Sequence, residues 1–88
     1  MYIDFLFSYG FIKGWRVYIR SQFNYGYRDT SGHATHRLWD SRGTYICWDR
    51  RIATLDAARQ IAKRWADCTA LYVQSGDSFD SIALKLSK

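Results

Sequence analysis

Two histidines three residues apart, in His33-Ala34-Thr35-His36, most invite a chemical reading, because with Cys47, Cys68, Asp40 or Asp49 they could assemble a zinc site. Structural zinc takes Cys or His pairs at both ends of its site, and here the cysteines stand alone, so the spacing favours ordinary loop histidines. A metal-dependent nuclease built on His36, Asp40 and Asp49 would need carboxylates converging on one ion. All eight acidic residues are Asp, scattered mainly over turns and helix starts, where a short carboxylate caps backbone N–H groups. Neither cysteine has a neighbouring histidine or helix N-terminus to lower its pKa, and no Gly-rich phosphate loop occurs. The sequence therefore predicts no catalytic residue, no metal and no cofactor.

What remains is the surface. The basic residues are nine Arg and four Lys, giving a net charge of +5 on 88 residues, of which 18% are aromatic. Arginine offers a planar fork of donors suited to phosphate, carboxylate and aromatic rings, so arginine among Tyr and Trp reads as a contact surface. The candidate partner-binding residues are Arg16, Tyr18 and Arg20 on one strand, Arg37 and Trp39 on another, Arg50-Arg51 before a helix, and Arg59, Lys63 and Arg64 along it. Such a surface grips phosphates and bases, or anchors a protein interface, equally well.

The elements that must position these residues follow from periodicity. Residues 2–11 are aromatic and β-favouring, and Gly10 and Gly14 punctuate a turn. Trp15, Val17 and Ile19 then alternate with Arg16, Tyr18 and Arg20, which predicts one buried and one wet face; continued, the alternation puts Phe23, Tyr25 and Tyr27 on the core side of a long strand. Residues 26–35 read as a loop, and 36–40 with 44–48 as a hairpin about Ser41-Arg42-Gly43. Thr54 is a good N-cap for a helix to about Asp67, whose Leu55, Ala58, Ile61, Ala62, Trp65 and Cys68 share a face. A short strand over 70–73 is expected next. Gly76, with Asp77 or Ser78 as N-cap, opens a final helix carrying Phe79, Ile82, Ala83 and Leu86 on one stripe. The expected fold is a single α+β domain over residues 1–88: an antiparallel sheet of four to five strands, one main helix on one face, and a short C-terminal helix.

A core of this size buries roughly 60–65% of the unfolded surface, which leaves no room for separate cofactor and substrate domains. Residues 1–12 are apolar but contain Asp4 and lack a basic n-region and a small-residue cleavage site. No run approaches the roughly 18–20 apolar residues that cross a bilayer. A cytoplasmic protein with no membrane partner is expected, both cysteines acting as buried small hydrophobes in a reducing compartment.

Three resemblances extend this reading. Tyr72-Val73-Gln74-Ser75-Gly76-Asp77-Ser78-Phe79, followed by Ser81-Ile82-Ala83 and Lys85, resembles the strand, turn and first helix of a LysM repeat, which implies glycan binding but supplies only half a repeat. Three strands before a helix, with Trp15-Arg16-Val17-Tyr18-Ile19-Arg20 early and Ala53-Thr54-Leu55 to Trp65-Ala66 late, are similar to the arm-type DNA-binding domain of phage integrases. That likeness implies major-groove reading by Arg16, Tyr18, Arg20, Arg37 and Trp39. A small chain with one helix on a bent sheet and an interaction-biased surface resembles, in type, small phage-encoded inhibitors of host defence such as anti-CRISPR proteins. The expectation is a non-catalytic binding protein, monomer or homodimer, that occupies a host protein or ribonucleoprotein complex. Direct binding of DNA or RNA by the same face is the alternative.

Overall fold

The computed structural model describes residues 2–87. In chain order the elements are β1 (Phe5–Gly10), β2 (Gly14–Ile19), α1 (Gly32–Thr35), β3 (Arg37–Asp40), β4 (Gly43–Ile46), α2 (Leu55–Ser75) and α3 (Phe79–Leu86). The four strands form one antiparallel sheet in the order β1-β2-β4-β3. The fold is thus α+β, with a long helix laid on the sheet and a short helix at the C-terminal end.

Alternation on β2 turns Trp15, Val17 and Ile19 toward α2 as expected, but the other face is not wet: Arg16 is half-buried and Tyr18 is buried. Val17 is 1% exposed, and Trp15 and Ile19 flank it on the face that packs against Ala58, Ala62 and Trp65 of α2. Register brings Phe5, Phe7 and Tyr9 opposite Ile19, Val17 and Trp15, so the odd-numbered side chains of both strands share that face. Phe5 and Phe23 each meet the Trp65 ring at about 6 Å, edge-on. The ends of α2 are set locally. Thr54 accepts a hydrogen bond from the Ala57 N–H, and Gly76, at φ +79, closes the helix by donating its N–H to the Tyr72 carbonyl. Ser78 caps α3 by accepting from the Ser81 N–H, and Phe79 and Ile82 turn inward.

Four expectations need correction. Residues 70–73 are not a strand: the buried stripe of α2 runs on through Cys68, Thr69 and Tyr72, and burial against β1, β2 and α3 overrides a short β-favouring stretch. The strand implied by the LysM resemblance is accordingly helix, and Gly76 ends one helix rather than opening the next. Second, β2 stops at Ile19. The Ser21 hydroxyl accepts the Asp4 N–H, and Asn24 Oδ1 accepts the Gly26 N–H in a tight turn, so Tyr25 stays buried while Tyr27 lies fully exposed. Third, part of the expected loop folds into α1. Ser31 caps it, and His36 ends it at φ 53, stacked on Phe79 at 4.8 Å. Fourth, Cys68 is buried but Cys47 is exposed, because β4 ends at Ile46. No helix among the described residues is long and apolar enough to cross a membrane.

Candidate binding surface

Cross-strand partners share a face, so the register decides which candidate residues can act together. Tyr18 pairs with Tyr45, Tyr45 with Leu38, and Gly43 with Asp40. Arg16, Tyr18, Arg20, Leu38, Asp40 and Tyr45 therefore occupy the sheet face away from α2. Arg37 and Trp39 fall on the opposite face, which separates them from Arg16, Tyr18 and Arg20. Arg37 is also engaged: its Nε donates to Thr35 Oγ1 at 2.8 Å, and Nη2 donates to the Thr30 carbonyl at 2.7 Å.

The open face is a lattice of guanidinium, phenol and carboxylate. Arg16 lies 4.0 Å over the Tyr45 ring, while Arg42 and Arg20 lie 5.1 and 5.8 Å from the centroid of Tyr18. Beneath them Tyr18 is only 3% exposed, although alternation puts it on the wet side. Asp40 makes that burial tolerable. One carboxylate oxygen accepts from Arg16 at 2.8 Å and from the Tyr18 hydroxyl at 2.7 Å, and the other accepts from the Arg42 N–H at 2.7 Å. The Tyr18 hydrogen bond, with help from Arg42 and Arg16, holds the Asp40 carboxyl below the usual carboxylate range against the opposing effect of partial burial.

Two adjoining grooves, of about 320 and 330 Å³, run along this face and share Ile12, Lys13 and Arg16. Arg50, Arg51 and Trp48 border the first, and Arg42 and Tyr9 the second. Gly14 fixes the first groove. At φ +75 its α-carbon faces the 50–52 segment, the Trp15 N–H donates to the Ile52 carbonyl at 2.8 Å, and a Cβ at Gly14 would lie 2.3 Å from that carbonyl oxygen. This contact carries Arg50 and Arg51 to the rim, where Arg51 donates to the Tyr9 hydroxyl at 2.9 Å. Where the two grooves meet, the β1–β2 turn holds Phe11 and Ile12 out at 90% and 82% exposure.

Of the residues singled out from sequence, Arg16, Tyr18 and Arg20 share the open face. Arg50 and Arg51 stand at the end of the sheet, lining clefts toward both the open face and α2, with Arg51 bonded to Tyr9 of the helix-facing side. Arg59, Lys63 and Arg64 are exposed on α2, across the sheet, and Arg64 is tied to the Ala83 carbonyl and the Ser87 hydroxyl at the end of α3. Lys13, Asp40, Arg42 and Tyr45 were missed. Arg42 reads as a turn residue, and Tyr45 joins Tyr18 only through a register that no local pattern encodes. Arg28, which donates to the last carbonyls of α2 at Val73 and Gln74, is a structural arginine.

Of the residues that invited a metal or nucleophilic reading, His36, Cys47 and Cys68 line one mainly apolar cleft of about 270 Å³. Among the described residues no group of three or more His, Cys, Asp or Glu is placed to hold a metal ion. Burial pushes the Cys68 thiol up, away from thiolate chemistry. No protein-family model, curated protein or solved structure matches the chain.

Proposed function

We propose that this chain is a non-catalytic binding protein that acts in a host cytoplasm by occupying an acidic surface of a nucleic-acid-processing or defence complex, in the manner of small phage-encoded inhibitors such as anti-CRISPR proteins. The observation that carries this reading is the stacking of Arg16, Arg20 and Arg42 on Tyr45 and Tyr18. Guanidiniums already cover the rings, so the phenols are not free to stack bases; Arg16 is already paired with Asp40, and Arg20 and Arg42 are the cations held in place to meet carboxylates. Preorganisation of this kind lowers the ordering cost of binding.

The test is expression in cells that carry an active CRISPR–Cas system, followed by phage challenge. Relief of interference is expected, and the Arg20→Ala/Arg42→Ala pair should abolish it. Undiminished interference across representative systems of each type would sink the anti-CRISPR reading.

A second reading, direct binding of DNA or RNA, is favoured by the run of Lys13, Arg16, Arg42, Arg50 and Arg51 along adjoining grooves. It requires a steep fall of affinity with salt, each neutralised duplex phosphate contributing about 0.9 to the log–log slope. A flat salt response, or no binding at low salt, removes it.

A further inference from the structure

The two edges of the sheet are treated differently. On β3 the main-chain groups of Arg37 and Trp39 point outward, since the Cys47 N–H to His36 carbonyl bond fixes the alternation. That edge is short, carries the charges of Arg37 and Asp40, and is covered by α1. Gly32 sits so close that a Cβ there would lie 2.6 Å from the Arg37 carbonyl oxygen and 2.7 Å from the Trp39 ring. These are the usual devices that stop an edge from recruiting another strand.

The β1 edge has none of them. Phe5–Gly10 reads FLFSYG, six residues with no charge and no proline. The Arg20 N–H donates to the Asp4 carbonyl at 2.8 Å, so Asp4, Leu6, Ser8 and Gly10 point their main-chain groups toward β2, and Phe5, Phe7 and Tyr9 point theirs outward. No element among the described residues pairs with that outward row.

We propose that β1 is a homodimerisation edge, whose occupant is β1 of a second copy of this chain, running antiparallel and centred on Phe7. The register is the one in which all three outward residues pair at once: Phe7 faces Phe7 of the second copy, and Phe5 and Tyr9 face Tyr9 and Phe5 of that copy. Each facing pair exchanges two main-chain hydrogen bonds. A shift of two residues loses one of the three pairs, and a shift of one sets outward residues against inward ones. Charge also favours a second copy in this orientation. Asp4 stands just before the strand and Lys13 just beyond it, so antiparallel pairing puts the acidic end of one copy beside the basic turn of the other. The same pairing carries the exposed Phe11 and Ile12 toward the exposed Tyr2 of the second copy. The result is one eight-stranded sheet, with both α2 helices on one side and both arginine faces on the other.

Sedimentation velocity over a micromolar-to-millimolar dilution series reads the association directly. A reversible species of twice the 10.4 kDa chain mass is expected. In the proposed register Leu6 faces Ser8 of the second copy, on the open face, twice per dimer. Leu6→Lys with Ser8→Lys should weaken association by roughly tenfold or more through two facing like-charge pairs, and Leu6→Lys with Ser8→Asp should restore it. Tyr9→Pro removes an outward N–H without breaking a bond to β2, and should leave a folded monomer by circular dichroism. A wild-type chain that stays monomeric throughout overturns the proposal. So does a dimer indifferent to Tyr9→Pro, or one that the Lys/Asp pair fails to restore.

Discussion

Val17 and Tyr18 are neighbours in sequence, are buried to 1% and 3% exposure, and face opposite sides of the same strand. Around Val17 lie Phe5, Phe7, Ala58, Ala62 and Trp65, held by the apolar area they remove from water. Around Tyr18 lie Arg16, Arg20, Arg42, Asp40 and Tyr45, held by stacking and charge-assisted hydrogen bonds. The first set tolerates apolar changes that preserve volume at modest cost, whereas the second depends on one carboxylate, since losing it leaves a buried hydroxyl and a guanidinium without their acceptor. Equal burial thus serves stability on one side of the strand and the positioning of cations on the other.

Trp65→Ala should have the largest effect: it removes the ring meeting Phe5, Phe23 and Phe79 and should cost about 3–5 kcal/mol in urea unfolding. A cost below about 1 kcal/mol would mean that α2 does not seal this face. Asp40→Ala should come next, lowering the unfolding midpoint by less than Trp65→Ala and reducing partner binding as Arg16 loses its anchor. Unchanged stability with unchanged binding would show that the lattice is ornamental.

Acid titration probes the same carboxylate. Because the folded protein holds the Asp40 pKa below its unfolded value, its contribution is fully present above the ordinary carboxylate range, near pH 4, and is lost as pH falls through the folded value. Asp40→Asn should therefore flatten the acid limb of the stability curve, and an identical limb in the variant would contradict the assignment. Tyr18→Phe, which deletes one hydrogen bond and keeps the ring beneath the arginines, should cost about 1 kcal/mol. The smallest effect on folding belongs to Arg20→Ala with Arg42→Ala. Thermal stability should stay within about 0.5 kcal/mol per site while partner binding falls; substantial unfolding would make these arginines structural.

Much of the architecture was legible in the residues. Alternation gave the two faces of β2, Thr54 and Ser78 marked helix starts, and the Phe79, Ile82, Ala83 spacing marked α3. The α2 extension was not legible, because Ala70, Leu71, Tyr72 and Val73 suit a strand as well as a buried helix, and only packing beside Phe79 and Tyr25 chooses. The candidate surface was half legible. Arg16, Tyr18 and Arg20 follow from one strand, but Asp40, Arg42 and Tyr45 join them through pairing, and the same pairing sends Arg37 and Trp39 to the other side.

The α+β class, the helix caps and the alternation follow from local steric and hydrogen-bonding preferences that act over a few residues, and the wealth of arginine and aromatic residues is plain in the chain itself. Which arginines are tied and which are not depends on long-range contacts, since strand register and the approach of Ile52 to Gly14 bring together residues far apart in the chain. A shift of one residue in that register would turn Tyr45 and Asp40 away from Tyr18, and what forbids it is the core, which would lose Ile46 from its buried face.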